Sequence, residues 1–310
     1  MKDYFTLVLK GIGMGAANVI PGVSGGTIAL ITGIFERLIN AIKSFDLRAI
    51  KLIFRGQFSD FSKNVDLYFL LAVFFGVGLA ILSLARVFEF LFVNYPVYIW
   101  SYFFGLILGS VYFVGRTVSK WSISVIIIFI VGTAAAVILS LLKPAVENDN
   151  LIYLFVCGIV AACSMILPGI SGSFVLVLMG NYQLVMINAV NQLNIVVLAP
   201  VVVGAGFGLI AFSYVLSWIF RKYRDHTIAI LTGFIFGSLG IIWPWKSNIY
   251  QMDVAGNLIL NRKGEKIVSG YDWFLPDSFS NEVVVAIIII ILGVLSIWIT
   301  EYLAGKKEAK

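Results

Sequence analysis

Histidine occurs once, at His226, cysteine twice and proline seven times in 310 residues. One histidine leaves no His pair for a metal or a catalytic dyad. The chain contains no H-E-x-x-H pattern, no Walker A loop and no paired acidic motif at catalytic spacing. Ester chemistry through Ser24 would need a neighbouring base, and none is evident; His226 falls in an expected cytoplasmic turn. Cys157 and Cys163 share one apolar stretch, where free cysteine acts as a small hydrophobe rather than half of a disulfide or metal pair. These absences argue against an enzyme, a bound metal and a resident cofactor.

Charge is scarce too. Charged residues make up 12% of the chain, against about 25% in soluble domains. The net charge of +6 is carried at the ends of apolar segments. It fits cytoplasmic loops and anionic headgroups rather than nucleic acid.

What the chain has instead is hydrophobic length: 60% apolar residues and a mean hydropathy of +1.00. That composition places it in a bilayer, with room for about six to ten segments of about 20 residues each. Lys10 inside the first apolar stretch, and the lack of an Ala-x-Ala site, argue against a cleaved signal peptide.

Two of these stretches are interrupted. Pro21-Gly22-Val23-Ser24-Gly25-Gly26 breaks the first, and Pro168-Gly169-Ile170-Ser171-Gly172-Ser173 repeats the pattern. Proline removes a backbone donor and glycine relaxes φ, so a helix should stop at each. Broken backbone at membrane depth is tolerated where it is buried in protein or lines a polar cavity. The arms 4–20 and 27–42 around the first break are about 58 Å long as continuous helix, too long for one crossing of a ~30 Å core. A re-entrant hairpin is the economical solution, and two short full crossings are the alternative.

The expected fold is an all-α polytopic membrane protein of two inverted repeats. Each is a re-entrant helical hairpin followed by three transmembrane helices. The first repeat, 1–145, holds the hairpin 4–42, a cytoplasmic amphipathic loop 43–66 and spans 67–93, 97–115 and 121–142. The second, 146–310, holds the hairpin 151–190 (arms 151–167 and 174–190), spans 195–220, 227–245 and 283–304, and an outside loop 246–282. Alternation around Gly264 within 257–268 predicts a small extracytoplasmic β-hairpin. The halves align in pieces: 20–33 on 167–180, displaced by 147 positions, and 105–110 on 233–238, displaced by 128. Gly76 and Gly78 meet Gly204 and Gly206 at the second displacement. The loop 43–66, which the second half replaces with a short Asn-rich link near Asn191 and Asn194, accounts for the change.

One hairpin plus three crossings is an odd number of crossings, so the second half should be inverted. Charge agrees. Fifteen Lys and Arg fall on the expected inside: Lys2, Lys10, five within 43–63, Arg116, Lys120, Arg221, Lys222, Arg224, Lys306, Lys307 and Lys310. The short outside loops hold only Lys143. Both termini are then cytoplasmic, and the plan is that of inverted-repeat transporters with breaks at mid-membrane.

Candidate site residues follow from this plan. Gly22, Ser24, Gly25, Gly26 and Thr27 of the first break, and Gly169, Ser171, Gly172 and Ser173 of the second, offer free amides and hydroxyls to an anion. Helix capping alone would also account for the Ser and Thr. Arg86 lies within an apolar span and is either a substrate contact or half of a helix-face pair with Glu89. Glu36 is a candidate for a coupling proton. Arg37 beside it is placed to snorkel to the surface, and Asn18 to satisfy the broken backbone.

The stretch Gly13-Met14-Gly15-Ala16-Ala17-Asn18-Val19-Ile20-Pro21-Gly22-Val23-Ser24-Gly25-Gly26-Thr27 resembles the leading signature of a bacterial family associated with polyprenyl-phosphate translocation, the PopT type. Residues 167–173 resemble its second signature. The resemblance implies a flippase that returns undecaprenyl phosphate from the outer to the inner leaflet of the bacterial cytoplasmic membrane, recycling the carrier for envelope polymers. Its partners would be the polyprenyl-phosphate lipid, membrane lipids and a coupling ion, proton or sodium. The residues alone imply only an anion-binding transporter. A carrier of a small soluble anion and, less favoured, a membrane lipid phosphatase stay open as alternatives.

Overall fold

The computed structural model describes residues 2–19, 25–142, 144–250, 252, 256–260, 264, 266, 268–276 and 278–308. The chain opens with α1 (Lys2–Val19), α2 (Gly25–Ile31), α3 (Phe35–Lys43), α4 (Leu47–Phe54) and α5 (Phe58–Asn64). Three long helices follow, α6 (Leu67–Asn94), α7 (Pro96–Gly115) and α8 (Ile123–Leu141). The second half starts with α9 (Leu151–Ile166), α10 (Gly172–Leu178), a π-helical turn Gln183–Ala189 and the short α11 (Val190–Gln192). It continues with α12 (Ile195–Lys222), α13 (Arg224–Gly237), strands β1 (Lys246–Tyr250) and β2 (Val268–Trp273), and α14 (Asn281–Glu308).

Among the described residues, five helices are long and apolar enough to cross a membrane: α6, α7, α8, α12 and α14. Their outer faces carry exposed Phe75, Leu82, Ile123, Phe207, Trp218 and Leu292. In water such a surface would aggregate; in lipid it is solvated. The protein is therefore a multi-pass membrane protein. The remaining expected span, 227–245, is shorter than its apolar length predicts. Helix α13 ends at Gly237, tightens into a 3₁₀ turn over Ser238–Gly240, and meets Pro244, which cannot prolong a helix.

The helices pair through glycine. Gly11 lies so close to the Val73 carbonyl, and Gly76 to that of Val8, that a Cβ at either position would strike it. This seam joins α1 to α6. Gly158 meets Val201 and Gly204 meets Phe155 in the same way, joining α9 to α12. The two seams are related by the displacements already seen, 147 from Gly11 to Gly158 and 128 from Val73 to Val201. The remaining spans pair across the halves. Gly105 of α7 meets Ile290 of α14 and Gly233 of α13 meets Phe129 of α8; Gly132 meets Ile230 and Gly293 meets Tyr102. A third displacement, 161 from Gly132 to Gly293, relates α8 to α14. Small residues at these crossings let backbones approach, the main source of helix affinity where lipid and side chains are equally apolar.

The second arm of each interrupted segment differs from expectation. Residues 27–42 were expected to form one helix, but α2 and α3 are bent by 118° at the Thr32–Gly33–Ile34 break. Residues 174–190 break likewise at Gly180. Gly33 (φ 71°) and Gly180 (φ 75°) both adopt the left-handed conformation that ends helices, and they are equivalent under the displacement of 147. The loop 43–66 contains two helices, with Gly56 (φ 68°) between them. Its first helix is capped by Asp46, whose carboxylate accepts the Arg48 and Ala49 amides at 2.9 and 3.0 Å.

The regular β-strands lie nearer the helices than predicted. β1 and β2 pair antiparallel from Lys246↔Trp273 to Tyr250↔Val268. The predicted segment is the tip beyond them, held by isolated bridges Met252↔Leu258 and Leu260↔Lys266, the latter across Gly264. Anchoring aromatics fix the strands where they are. The Trp273 indole donates to the Gly240 carbonyl at 2.6 Å and that of Trp243 to Phe274 at 3.2 Å.

Candidate functional site

The two interrupted segments meet. The Gly169 N–H donates to Thr27 Oγ1 at 3.1 Å, a buried hydrogen bond between the halves. Thr27 is 1% exposed, and Gly25, Gly26, Pro168, Gly169, Ile170 and Gly172 are buried around it. Gly169 has φ 85°, and a Cβ there would stand 2.7 Å from the Phe234 carbonyl. Glycine is required both by the backbone conformation and by this close approach.

Each break is supported by its own arm. Asn18 Oδ1 accepts the Gly25 N–H at 2.8 Å, the backbone service expected of Asn18. The equivalent of Asn18, Met165, stands against Gly172, the equivalent of Gly25. Ser171 caps α10 by accepting the Phe174 N–H at 3.2 Å, and its hydroxyl lies 3.1 Å from that of Ser173. Ser173 is exposed. Helices α2 and α10 are each seven residues long, so their dipoles are small and the local amides and hydroxyls carry any anion affinity. Gly22 and Ser24 lie outside the described residues. Arg86 and Glu89 fall within α6, but their side chains lie outside the described residues.

The family described as undecaprenyl phosphate translocase-like (VCA0040-like) matches residues 14–259, a stretch that contains both breaks. The chain belongs to this translocase-like family. A polyprenyl-phosphate transporter of Vibrio cholerae serotype O1 is 39% identical over 258 residues, 83% of each chain. One from Staphylococcus aureus is 33% identical over 255 residues, 76% of this chain and 85% of its own. Both relatives carry the names of transporters rather than enzymes. No solved structure matches.

Open space in this translocase-like chain lies at the Gly33 bend, six residues beyond Thr27 and so about 9 Å along the chain as helix. A cavity of about 140 Å3 there is lined by Gly33, Glu36, Thr117, Phe220 and Arg224 among others. A second, more open one of about 480 Å3 adjoins it, lined by Gly33, Glu36, Arg37, Asn40, Ser44 and Asp66 among others. Glu36 is exposed in this space. Arg37 is engaged rather than free: its guanidinium contacts both oxygens of Asp66 at 2.6 and 3.1 Å and stacks over Phe69 at 4.3 Å. This pairing explains why Asp66, at the N-cap of α6, makes no capping bond.

Sequence reasoning missed Lys10 and Asn181. Lys10 Nζ donates to the Thr32 carbonyl at 2.6 Å, tying α1 to the first bend. In the second half the equivalent carbonyl, Met179, accepts the Tyr153 hydroxyl at 2.9 Å. Asn181, fully buried, accepts the Asn148 N–H at 2.9 Å and donates to its carbonyl at 2.7 Å. Lys10 is conspicuous in the sequence as a cation in an apolar arm, where it argues against a signal peptide and for an inside location but names no partner. Nothing in the sequence around Asn181 set it apart.

Proposed function

We propose that this chain carries a polyprenyl phosphate, undecaprenyl phosphate in particular, between the leaflets of the bacterial cytoplasmic membrane, from the outer to the inner. The observation that carries the reading is the Thr27–Gly169 contact, which joins the two Pro-Gly-x-Ser-Gly segments, one from each half. The names of the two relatives support the substrate, and the charge distribution supports halves of opposite orientation with both termini cytoplasmic.

In this reading the two segments are re-entrant hairpins entering from opposite faces. The lipid phosphate is received by the amides and hydroxyls of Gly22, Ser24, Gly25, Gly26 and Thr27 and of Gly169, Ser171, Gly172 and Ser173, with Arg86 as countercharge. The polyprenyl tail stays in lipid. In the resting form Thr27 Oγ1 occupies the Gly169 amide. A phosphate oxygen competes for that donor, and a charged acceptor makes the stronger bond. Rocking of one half on the other then exposes the headgroup to alternate faces. Glu36, beside Arg224 at the Gly33 cavity, is the candidate for a coupling proton, with sodium as the other candidate ion.

The test is translocation of labelled polyprenyl phosphate in proteoliposomes by wild type and by Ser24→Ala, Ser171→Ala and Arg86→Ala. Each lost contact to a charged group is expected to slow translocation about tenfold or more, with folding retained. Unchanged rates in all three variants would remove the headgroup site. Transport of a small soluble anion is the second reading, because amides and hydroxyls at the two breaks would receive free phosphate as they would a lipid headgroup. Counterflow of inorganic phosphate without movement of the lipid would establish that reading instead.

A further inference from the structure

We propose that the α4–α5 unit is a binding site for anionic phospholipid headgroups of the leaflet beside it, separate from the transport site. Two faces of one short helix carry the inference. Leu47, Ile50 and Phe54 recur at three- and four-residue spacing along one side of α4 and are 75%, 48% and 87% exposed. Phe58, at the start of α5, is exposed beside them. On the adjoining side Arg48, Lys51 and Arg55 follow the same spacing. With Lys63 of α5 they line an open groove of about 680 Å3, in which Asp60 is the acidic member.

An apolar stripe flanked by cations is the signature of a helix lying in a bilayer interface. Its position in the fold agrees. The apolar span α6 begins three residues after α5 ends, so the unit sits where a crossing leaves the hydrocarbon. It is also held there. The Asn64 side chain donates to the Ser44 carbonyl at 3.1 Å, and Arg37 of α3 clasps Asp66 at the start of α6. The apolar stripe enters the acyl boundary while the four cations meet headgroup phosphates. Four positive groups against one carboxylate select anionic lipid over zwitterionic lipid. The segment belongs to the first half alone, so the site acts on one leaflet.

The experiment uses the full-length protein, delipidated in detergent and supplied with phosphatidylglycerol or phosphatidylcholine in mixed micelles. Bound phospholipid per chain is counted by mass spectrometry. Wild type is expected to retain phosphatidylglycerol over phosphatidylcholine, less so at high salt. Combined Arg48→Gln, Lys51→Gln, Arg55→Gln and Lys63→Gln should weaken that retention about tenfold or more. All four side chains are exposed, and the thermal transition of the variant checks its folding; Arg55→Gln alone, with a smaller loss, serves if the combined variant is unstable. Equal retention of the two lipids by wild type, or undiminished phosphatidylglycerol on the variants, overturns the proposal. So does displacement of the lipid by an equal concentration of inorganic phosphate, which would make the groove a site for free anion. Lipid translocation is not the readout, so this result and that of the transport test are independent.

Discussion

Thr27 and Gly169, 142 positions apart in the chain, are joined by one hydrogen bond where the two interrupted segments meet. The donor is a buried amide in a glycine that no other residue can replace without striking Phe234. The acceptor is a side chain, so breaking the joint would not require either helix to unfold. A contact between halves that is specific but breakable is what the proposed alternating mechanism requires.

Thr27→Val keeps the shape and deletes the acceptor, leaving the Gly169 amide buried and unpaired. Such a loss costs about 1–3 kcal/mol, and a lowered melting temperature in detergent is the expected result. Thr27→Ser, which restores the oxygen, should recover most of it. Equal melting of the Val variant and wild type would show that the joint contributes nothing.

Gly204 and Gly206 lie two residues apart in α12 and face opposite circumstances. A Cβ on Gly204 meets the Phe155 carbonyl, whereas one on Gly206 has nothing within 4 Å. Gly204→Ala should therefore push α12 off α9 and destabilise by about 1–3 kcal/mol, while Gly206→Ala is neutral or slightly stabilising through helix propensity. Thermal unfolding of the pair compares them directly. A reversed order would contradict the seam described for these helices.

Asn181→Leu removes two hydrogen bonds to the Asn148 backbone and fills the site with an apolar group. At about 1 kcal/mol for each bond, stability should fall by about 2 kcal/mol. The loss concentrates on the link between 144–150 and the Gly180 bend, where hydrogen exchange should speed up most. Unchanged protection in that segment would refute the role assigned to Asn181.

The Lys246 ammonium lies 3.5 Å from the centre of the Trp100 ring and 4.3 Å from that of Tyr271, and it donates to the Ile241 carbonyl. Burial lowers its pKa from 10.5 to about 7. Burial pushes Tyr271 up to about 12, so that ring stays neutral. The unfolded chain thus binds a proton that the folded chain has released between about pH 7 and 10.5. Stability contributed here is lowest below pH 7 and rises across that window. Lys246→Met should flatten the rise in melting temperature between pH 7 and about pH 9. A slope identical to wild type would show that Lys246 does not titrate in this range.

Much of the architecture was legible before any coordinates. Pro168 with its flanking glycines marked the second break, because proline and glycine act on the backbone whatever surrounds them; Pro21, which marks the first, lies outside the described residues. The spans over α6, α7, α8, α12 and α14 were set by apolar length. The bends at Gly33 and Gly180 were not read, since a single glycine in an apolar run serves packing as readily as a turn. The bonds of Lys10 to Thr32 and of Asn181 to Asn148 were hidden for a different reason: those partners are backbone carbonyls and an amide, which every residue offers.

Composition and punctuation alone determined that this chain lives in a bilayer, that an apolar run breaks at Pro168, and that its halves share a pattern. Only the tertiary structure decided that α7 pairs with α14 and α8 with α13, crossing between the halves, while α1 and α9 stay with α6 and α12. The reason lies in the solvent. Helices apolar on every side carry no stripe to announce an inward face. Partner choice then rests on which glycine finds which opposing carbonyl, and that fit exists only once both helices are in place.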